Sequence, residues 1–571
     1  MKRITCLALV CIIVVTMVTA CGRNVDGEPL YETQYERLAK LGKVWGFAKY
    51  THHGFISGRL DWDAELLNLV PGVYNAEDVN GILYDWFVGL GEDGYDFEFG
   101  HDFDLANNMA AHAEDGRPMA DLSWINYDYL GPLAAHLLRF NGVSLMDRAA
   151  APVFFNPSST PNFSNQHLHV NVDFSDPGYR LLGLFRLWNA MKYYFPHLDV
   201  LDVAWNDLLA EFIPKMLEGT DRLSYELILA AMTHYLHDAH VQFVGTTFFS
   251  DRFGRYVVPV QLISAEGRPV VYRNAFRAGI DGQLTRGDVI LSVDNRCIEE
   301  VTAEMRPFLS YPNEEKALAY LSIRWSDRLF PHMHHILRSH EPDMEIHILR
   351  SGVEMTLNIA GTSAWADFFP RVTESHVLLE NNIGLINPSI SGDVRSIMES
   401  FADTDGIIID LRQRPVGMFW LEMWQYLMAE PLPFAYISRP SHTHPGARVD
   451  ILVNQYLPPC PYAFVYDRPV VLLMDEQTFS HPEWAIMSFR VASNVTVIGP
   501  YSMGSNGNIT SLPLPGGITM WFTSLGVYTP EGGQTHRIGL APDIRVDRTI
   551  AGIAEGRDEL MEAAIRYIRE R

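Results

Sequence analysis

Lysine is missing from the end of this sequence: none occurs after Lys316, so no amine side chain can act as a base in the C-terminal part. Cysteine is scarce, with 5 in the chain, and Cys6 and Cys11 sit in a leader-like start. The remaining Cys21, Cys297 and Cys460 exclude a disulfide framework and a cysteine-rich metal site, and leave room for one Cys297–Cys460 bridge. Positive charge is also short. With 44 Lys and Arg against 69 Asp and Glu, the net charge of −25 excludes the basic footprint that nucleic-acid binding needs. Long apolar runs are absent apart from Leu7–Val18, which is too short for a good membrane span, so the rest of the chain is expected to be soluble.

The start reads as an address. Lys2 and Arg3 precede the apolar run, which ends in Val18-Thr19-Ala20-Cys21, the pattern of a lipobox. Cleavage before Cys21 after lipidation of its thiol would anchor the protein in a membrane. Gly22 is not an inner-membrane retention aspartate, which favours the outer membrane of a cell envelope. Several acyl chains, at about 0.8 kcal/mol per buried methylene, make such an anchor effectively permanent.

The length of 571 residues suits about three or four domains, and a hydrophobic fraction of 47% can fill their cores. An internal repeat is visible. Trp45, Lys49, Tyr50, Trp62, Leu66 and Pro71 recur without a gap as Trp188, Lys192, Tyr193, Trp205, Leu209 and Pro214. Both copies carry apolar residues at helical spacing and read as small helical units, spanning 21–150 and 175–252. Between them, 151–174 is expected to be a linker, because APVFFNPSSTPNFSNQ is rich in Pro, Ser and Asn. Residues 253–362 change to short β-branched strands, and LTRGDVILSVDN resembles the strand-turn-strand of a PDZ domain. From 363 to 571 buried strands such as DGIIIDLRQ, RPVVLLMD and NVTVIGP alternate with helices, which argues for an α/β core.

Taken in order, LHDAHVQF, the PDZ-like insert, NIGLINPSI, GIIIDLRQRPVG, LLMDEQTFSHPEWA, NVTVIGPYSMGSNGN, LPLPGGI and RIGLAPDI resemble the C-terminal-processing (tail-specific) serine peptidase family. The likeness is to its tricorn-core branch more than to its serine-lysine branch. It implies a multidomain α/β fold, with a layered ββα core like that of ClpP and crotonase, and a peptide or protein tail as substrate. Oligomeric state and substrate sequence are not legible.

The resemblance also implies site residues. The nucleophile falls on Ser480, at the start of a helix and three residues before Glu483. A helix N-terminus favours negative charge, although Ser-x-x-Glu is equally a capping box. The oxyanion hole would use the backbone N–H groups of His481 and Gly417. Where the serine-lysine branch has its lysine, this chain has Ser505 or Asn506 in Gly504-Ser505-Asn506-Gly507, so that mechanism is excluded. The tricorn-like route supplies His240 as base, with Ala239 in place of a hydroxyl residue. Asp238 is expected to shape the turn. The branch's accessory acid falls near Gln534, which cannot stabilise an imidazolium by charge; Glu531 and His536 are nearby substitutes.

No cofactor is expected. The histidines of PHMHHILRSH (331–340) and HTHP (442–445) lack HExxH spacing and a cysteine pair, so no metal is assigned. SMGSNGN lacks the lysine of a phosphate loop. The missing lysine, Ala239 and Gln534 keep two other readings open: a peptide-binding pseudo-peptidase, and a surface scaffold built on the helical units.

Overall fold

The computed structural model describes residues 32–91, 120–140, 142–143, 148–258, 260–274, 283–321, 336–363, 373–455 and 464–571. The leader with its lipobox at Cys21, Cys460 and residues 331–335 of the histidine run lie outside the described residues. Among the described residues no helix is long and apolar enough to cross a membrane.

The repeat becomes two helix pairs. In the first, α1 (Gln34–Thr51) packs on α2 (Trp62–Tyr74); in the second, α3 (Pro177–Tyr194) packs on α4 (Trp205–Glu218). The shared tryptophans make the same bond in each copy. Trp45 Nε1 donates to the Trp62 carbonyl at 2.6 Å, and Trp188 Nε1 to the Trp205 carbonyl at 2.9 Å. Each is fully buried, so its N–H requires such a partner. The lysine a helical turn later lies over the same indole, 4.8 Å away for Lys49 and for Lys192. The copies join along α1 and α3, where the Asn189 amide donates to the Gly42 carbonyl and its side chain fills the space a Cβ at Gly46 would need.

The Pro- and Ser-rich stretch between the copies is packed rather than loose. Phe163 is fully buried, Lys49 donates to Gln166, and Thr510 donates to the Pro161 carbonyl.

After α5 (Arg222–His234) the short strand β1 (Gln242–Val244) leads into an antiparallel β domain. Its strands are β2 (Val260–Ala265), β3 (Arg268–Asn274), β4 (Val289–Val293), β5 (Asp343–Arg350) and β6 (Val353–Ala360), ordered β6-β5-β4-β3-β2. Helix α6 (Glu314–Leu321) packs against the outer strand β2.

The C-terminal sheet runs β7 (His376–Leu379), β8 (Ile383–Ile386), β9 (Gly406–Asp410), β10 (Val470–Leu473), β11 (Val495–Gly499) and β14 (Ile544–Arg545), in that spatial order. Only the β7–β8 pair is antiparallel. The apolar runs of β9 and β10 follow from burial on both faces. Ile407, Ile409, Val470 and Leu472 face one core with helix α7 (His481–Phe489), while Ile408, Val471 and Leu473 face the C-terminal helix Glu559–Arg569. A separate sheet, β12 (Ile509–Leu514), β13 (Ile518–Thr523) and β1, stitches the helical units to this core.

Candidate active site

Ser480 lies where the chain leaves β10 and enters α7, and this junction is sharply bent. Its φ of 64° and ψ of −123° are in a region that side-chain-bearing residues rarely occupy. The bend is held by two acceptors. The Ser480 N–H donates to the Ser505 carbonyl at 2.9 Å and to Glu483 Oε2 at 3.2 Å. Glu483 is buried, and its other oxygen accepts from the Gly504 N–H at 2.9 Å and from the Ser502 hydroxyl. Burial raises the Glu483 carboxyl above its usual value, against the pull of these donors. Glu483 therefore acts as a hub for the loop 502–504. Gly504 suits that loop because its φ is 89° and a Cβ would stand 2.7 Å from the Gly539 nitrogen.

His240 arrives from the other side, and its placement follows from strand pairing. β1 and β13 pair as Gln242 with Trp521 and Phe243 with Met520; continued by two residues, this register sets His240 opposite Thr523. There His240 Nδ1 is 2.8 Å from Thr523 Oγ1. The Thr523 hydroxyl donates to Asp238 Oδ1 at 2.9 Å, and an ionised carboxylate can only accept. Thr523 must therefore accept from the ring, which puts the imidazole proton on Nδ1. The lone pair is left on Nε2, which is buried and makes no hydrogen bond among the described residues. The ring lies 5.5 Å from that of Phe479, the residue before Ser480.

Asp238 does more than shape the turn. It is fully buried and lies 3.4 Å from His240 Nδ1; besides Thr523 Oγ1 it accepts from the His240 N–H at 3.0 Å and the Thr523 N–H at 2.8 Å. Burial alone would raise its pKa, but the His240 interaction, the charge of His536 and the Thr523 N–H lower it to about 2. It is thus a fixed negative charge beside the imidazole.

Ser505, which with Asn506 is one of the two candidates for the place of the serine-lysine branch's lysine, joins the two halves. Its carbonyl receives the Ser480 N–H and its hydroxyl receives the Ala239 N–H at 2.9 Å. Gln534 is placed elsewhere: its Oε1 accepts from the Thr535 and His536 N–H groups, and its Nε2 is 3.4 Å from His197 Nδ1. Its bonds do not reach His240, and the charge beside the imidazole comes from Asp238.

The two oxyanion candidates lie on different segments, His481 opening α7 and Gly417 in the loop 412–417. Burial, then the Arg414 charge, lowers the His481 imidazole to about 4, with a partly offsetting hydrogen bond to the Pro415 backbone. Gly417 closes that loop with φ 59°; it is exposed, and a Cβ there would meet nothing within 4 Å. As the first residue of α7, His481 has no intrahelical acceptor for its N–H.

Ser480, His240 and the 412–417 loop are legible in sequence. Thr523 and the role of Ser505 are not: neither carries a local signal, and Thr523 reaches His240 only through the β1–β13 pairing. Among the described residues no group of three or more His, Cys, Asp or Glu side chains is arranged to hold a metal.

Residues 382–546 match the family model of peptidase family S41. The structure of mature CPAF complexed with lactacystin is similar, at 15% identity and a TM-score of 0.51, covering 69% of this chain and 99% of that one. The photosystem II D1 C-terminal processing protease aligns at 15% identity and a TM-score of 0.38, covering 65% and 93%. No curated protein matches. At these identities the CPAF likeness speaks for the fold alone: mixed α/β, with a helical N-terminal region and a largely parallel sheet.

Proposed function

We propose that this chain, whose residues 382–546 match the model of peptidase family S41, is a serine hydrolase that cleaves peptide bonds of proteins or protein tails through Ser480 and His240. The observation that carries this reading is the His240–Thr523–Asp238 chain, which leaves Nε2 buried and without a hydrogen bond on a ring 5.5 Å from that of Phe479, the residue before Ser480. In this mechanism Nε2 takes the Ser480 Oγ proton as Oγ attacks the scissile carbonyl, and the imidazolium is stabilised by Asp238. The N–H groups of His481 and Gly417 receive the oxyanion; one such donor is worth about 3 kcal/mol in the transition state. His240 then protonates the leaving amine, and water, activated by the same nitrogen, releases the acyl group. The layered ββα arrangement of ClpP and crotonase, a PDZ-like role for the β domain in capturing an extended peptide, and an envelope lipoprotein anchored at Cys21 complete the reading.

The test is active-site labelling of the purified full-length protein with a fluorophosphonate, with the adduct located by mass spectrometry. We expect the adduct on Ser480, lost in both Ser480→Ala and His240→Ala. Lactacystin, present in the CPAF complex, provides a second probe. A folded protein that takes up neither reagent would overturn the mechanism and leave a peptide-binding pseudo-peptidase, motivated by the missing lysine, Ala239 and Gln534.

A further inference from the structure

One short segment of the β domain touches both halves of the site. Residues 309–316 read LSYPNEEK and lead into α6. The Leu309 carbonyl is 2.7 Å from His234 Nδ1, and the Tyr311 carbonyl 3.2 Å from His237 Nδ1. Ser310 Oγ accepts the Asp238 N–H at 2.9 Å. These contacts grip the turn that delivers Asp238 and His240. The same segment then reaches the serine's side. The Asn313 amide donates to the Arg537 carbonyl at 2.6 Å, and Lys316 Nζ donates to the Tyr501 carbonyl at 2.7 Å.

Lys316 is unusual in its setting. It is the last lysine of the chain and is only 7% exposed. Burial lowers its pKa, while Glu476, Glu483, Glu315 and Asp475 act to raise it. Two of these belong directly to the serine's surroundings: Glu483 holds the Ser480 N–H and the Gly504 N–H, and Asp475 lies just past β10 in the connection that leads to Ser480. Tyr501, which receives the ammonium, begins the loop whose later residues Ser502, Gly504 and Ser505 bond to Glu483, Ser480 and Ala239. A buried ammonium bonded to the first carbonyl of that loop ties the loop to the β domain, while Asp475 and Glu476 have Arg548 as their own ion-pair partner.

We propose that Lys316 and Ser310 are positioning residues of the hydrolytic site, and that the 309–316 segment holds the His240 turn and the 501–505 loop in register with each other. The β domain is then a structural component of the catalytic machinery as well as a peptide-capturing module. The proposal rests on the Ser480–His240 reading for its consequence in rate, and on geometry alone for its consequence in order.

The experiment compares Lys316→Met and Lys316→Arg with the parent in the full-length protein, by fluorophosphonate labelling rate and by hydrogen exchange of the Met503, Gly504 and Ser480 amides. Lys316→Met keeps much of the volume without the charge; it is expected to label about tenfold more slowly and to exchange these amides about tenfold faster. Lys316→Arg is expected to restore most of both. Labelling and exchange of Lys316→Met within about twofold of the parent would overturn the proposal, as would equal defects in Met and Arg variants. If the parent itself takes no label, the serine mechanism fails, and the exchange data alone decide whether the strap exists. Should Lys316→Met not fold, Ser310→Ala carries the same test through the Asp238 amide. Faster exchange there, with slower labelling, supports the proposal, and unchanged values overturn it.

Discussion

Replacing Asp238 by Asn tests the electrostatic part of the mechanism, because it removes one charge and little volume. Asp238 Oδ1 lies 3.4 Å from His240 Nδ1; at an effective dielectric of about 20, a full charge at that distance is worth about 5 kcal/mol to the imidazolium. The lowering of Asp238 from 3.8 to about 2 corresponds to about 2 kcal/mol, a smaller figure because burial has already been subtracted from it. The labelling rate of Asp238→Asn should therefore fall by about 30-fold to 5,000-fold. The amide also offers an N–H₂ where Asp238 accepts from Thr523 or His240, so stability should drop by about 1–3 kcal/mol as well. The assay is the second-order rate of fluorophosphonate modification of Ser480, with circular dichroism and urea unfolding to show that the variant is folded. Thr523→Val is the companion: it breaks the relay but keeps the carboxylate, and should lose less rate than Asp238→Asn. Folded Asp238→Asn reacting within about threefold of the parent would refute the assignment of Asp238 as the stabilising charge.

Two further predictions concern stability. If the Ser480 bend is strained, Ser480→Gly should be more stable than Ser480→Ala by about 1–2 kcal/mol in urea unfolding, since only glycine adopts that φ at little cost; equal midpoints would remove strain from the account. Burial depresses the imidazole of His536 from 6.5 to about 4, so its contribution is complete above pH 6.5 and is lost as pH falls toward 4. The loss is at most about 3 kcal/mol, and His536→Gln should flatten the fall in unfolding free energy between pH 7 and 4.5. An unchanged slope would show that other groups dominate acid sensitivity. The Asp238 contribution lies lower, between about pH 4 and 2, and would not mask it.

How much of this is readable from residues depends on whether the information is local. The tryptophan repeat is, because indole and carbonyl partner sit on adjacent helices at fixed spacing, and the copies fold alike. The doubly buried strands are, because continuous Ile, Val and Leu runs leave few other solutions. Ser480 and His240 are identified by resemblance, and the loop geometry around them is not. Asp238 looks like a turn residue in sequence because its value depends on Thr523, which strand pairing brings across the molecule. The absence of a lysine at Ser505 or Asn506 reads as a loss in sequence; in the fold, Ser505 is a fully buried junction between the two halves. Lys316 stands out in sequence only as the last lysine, because no pattern announces that a β-domain side chain will enter the serine's surroundings.

The division of the interior into separate cores has a bearing on the life of the chain in the cell. Ala239 and Val241 flank His240 in the core shared by the helical units, the β domain and the β12–β13 hairpin, and Phe479 leans on that same core. One peptide bond later, Ser480 opens a helix whose Ala485 and Ile486 belong to the other. The bond between Phe479 and Ser480 therefore crosses a seam, and neither core contains a working pair by itself. During synthesis the histidine's side cannot be completed early, because the β12–β13 hairpin that fills its core and carries Thr523 follows Ser480 in the chain. Loss of either core would separate Ser480 from His240, the proposed catalytic pair. The two residues are therefore brought together only in the fully folded chain.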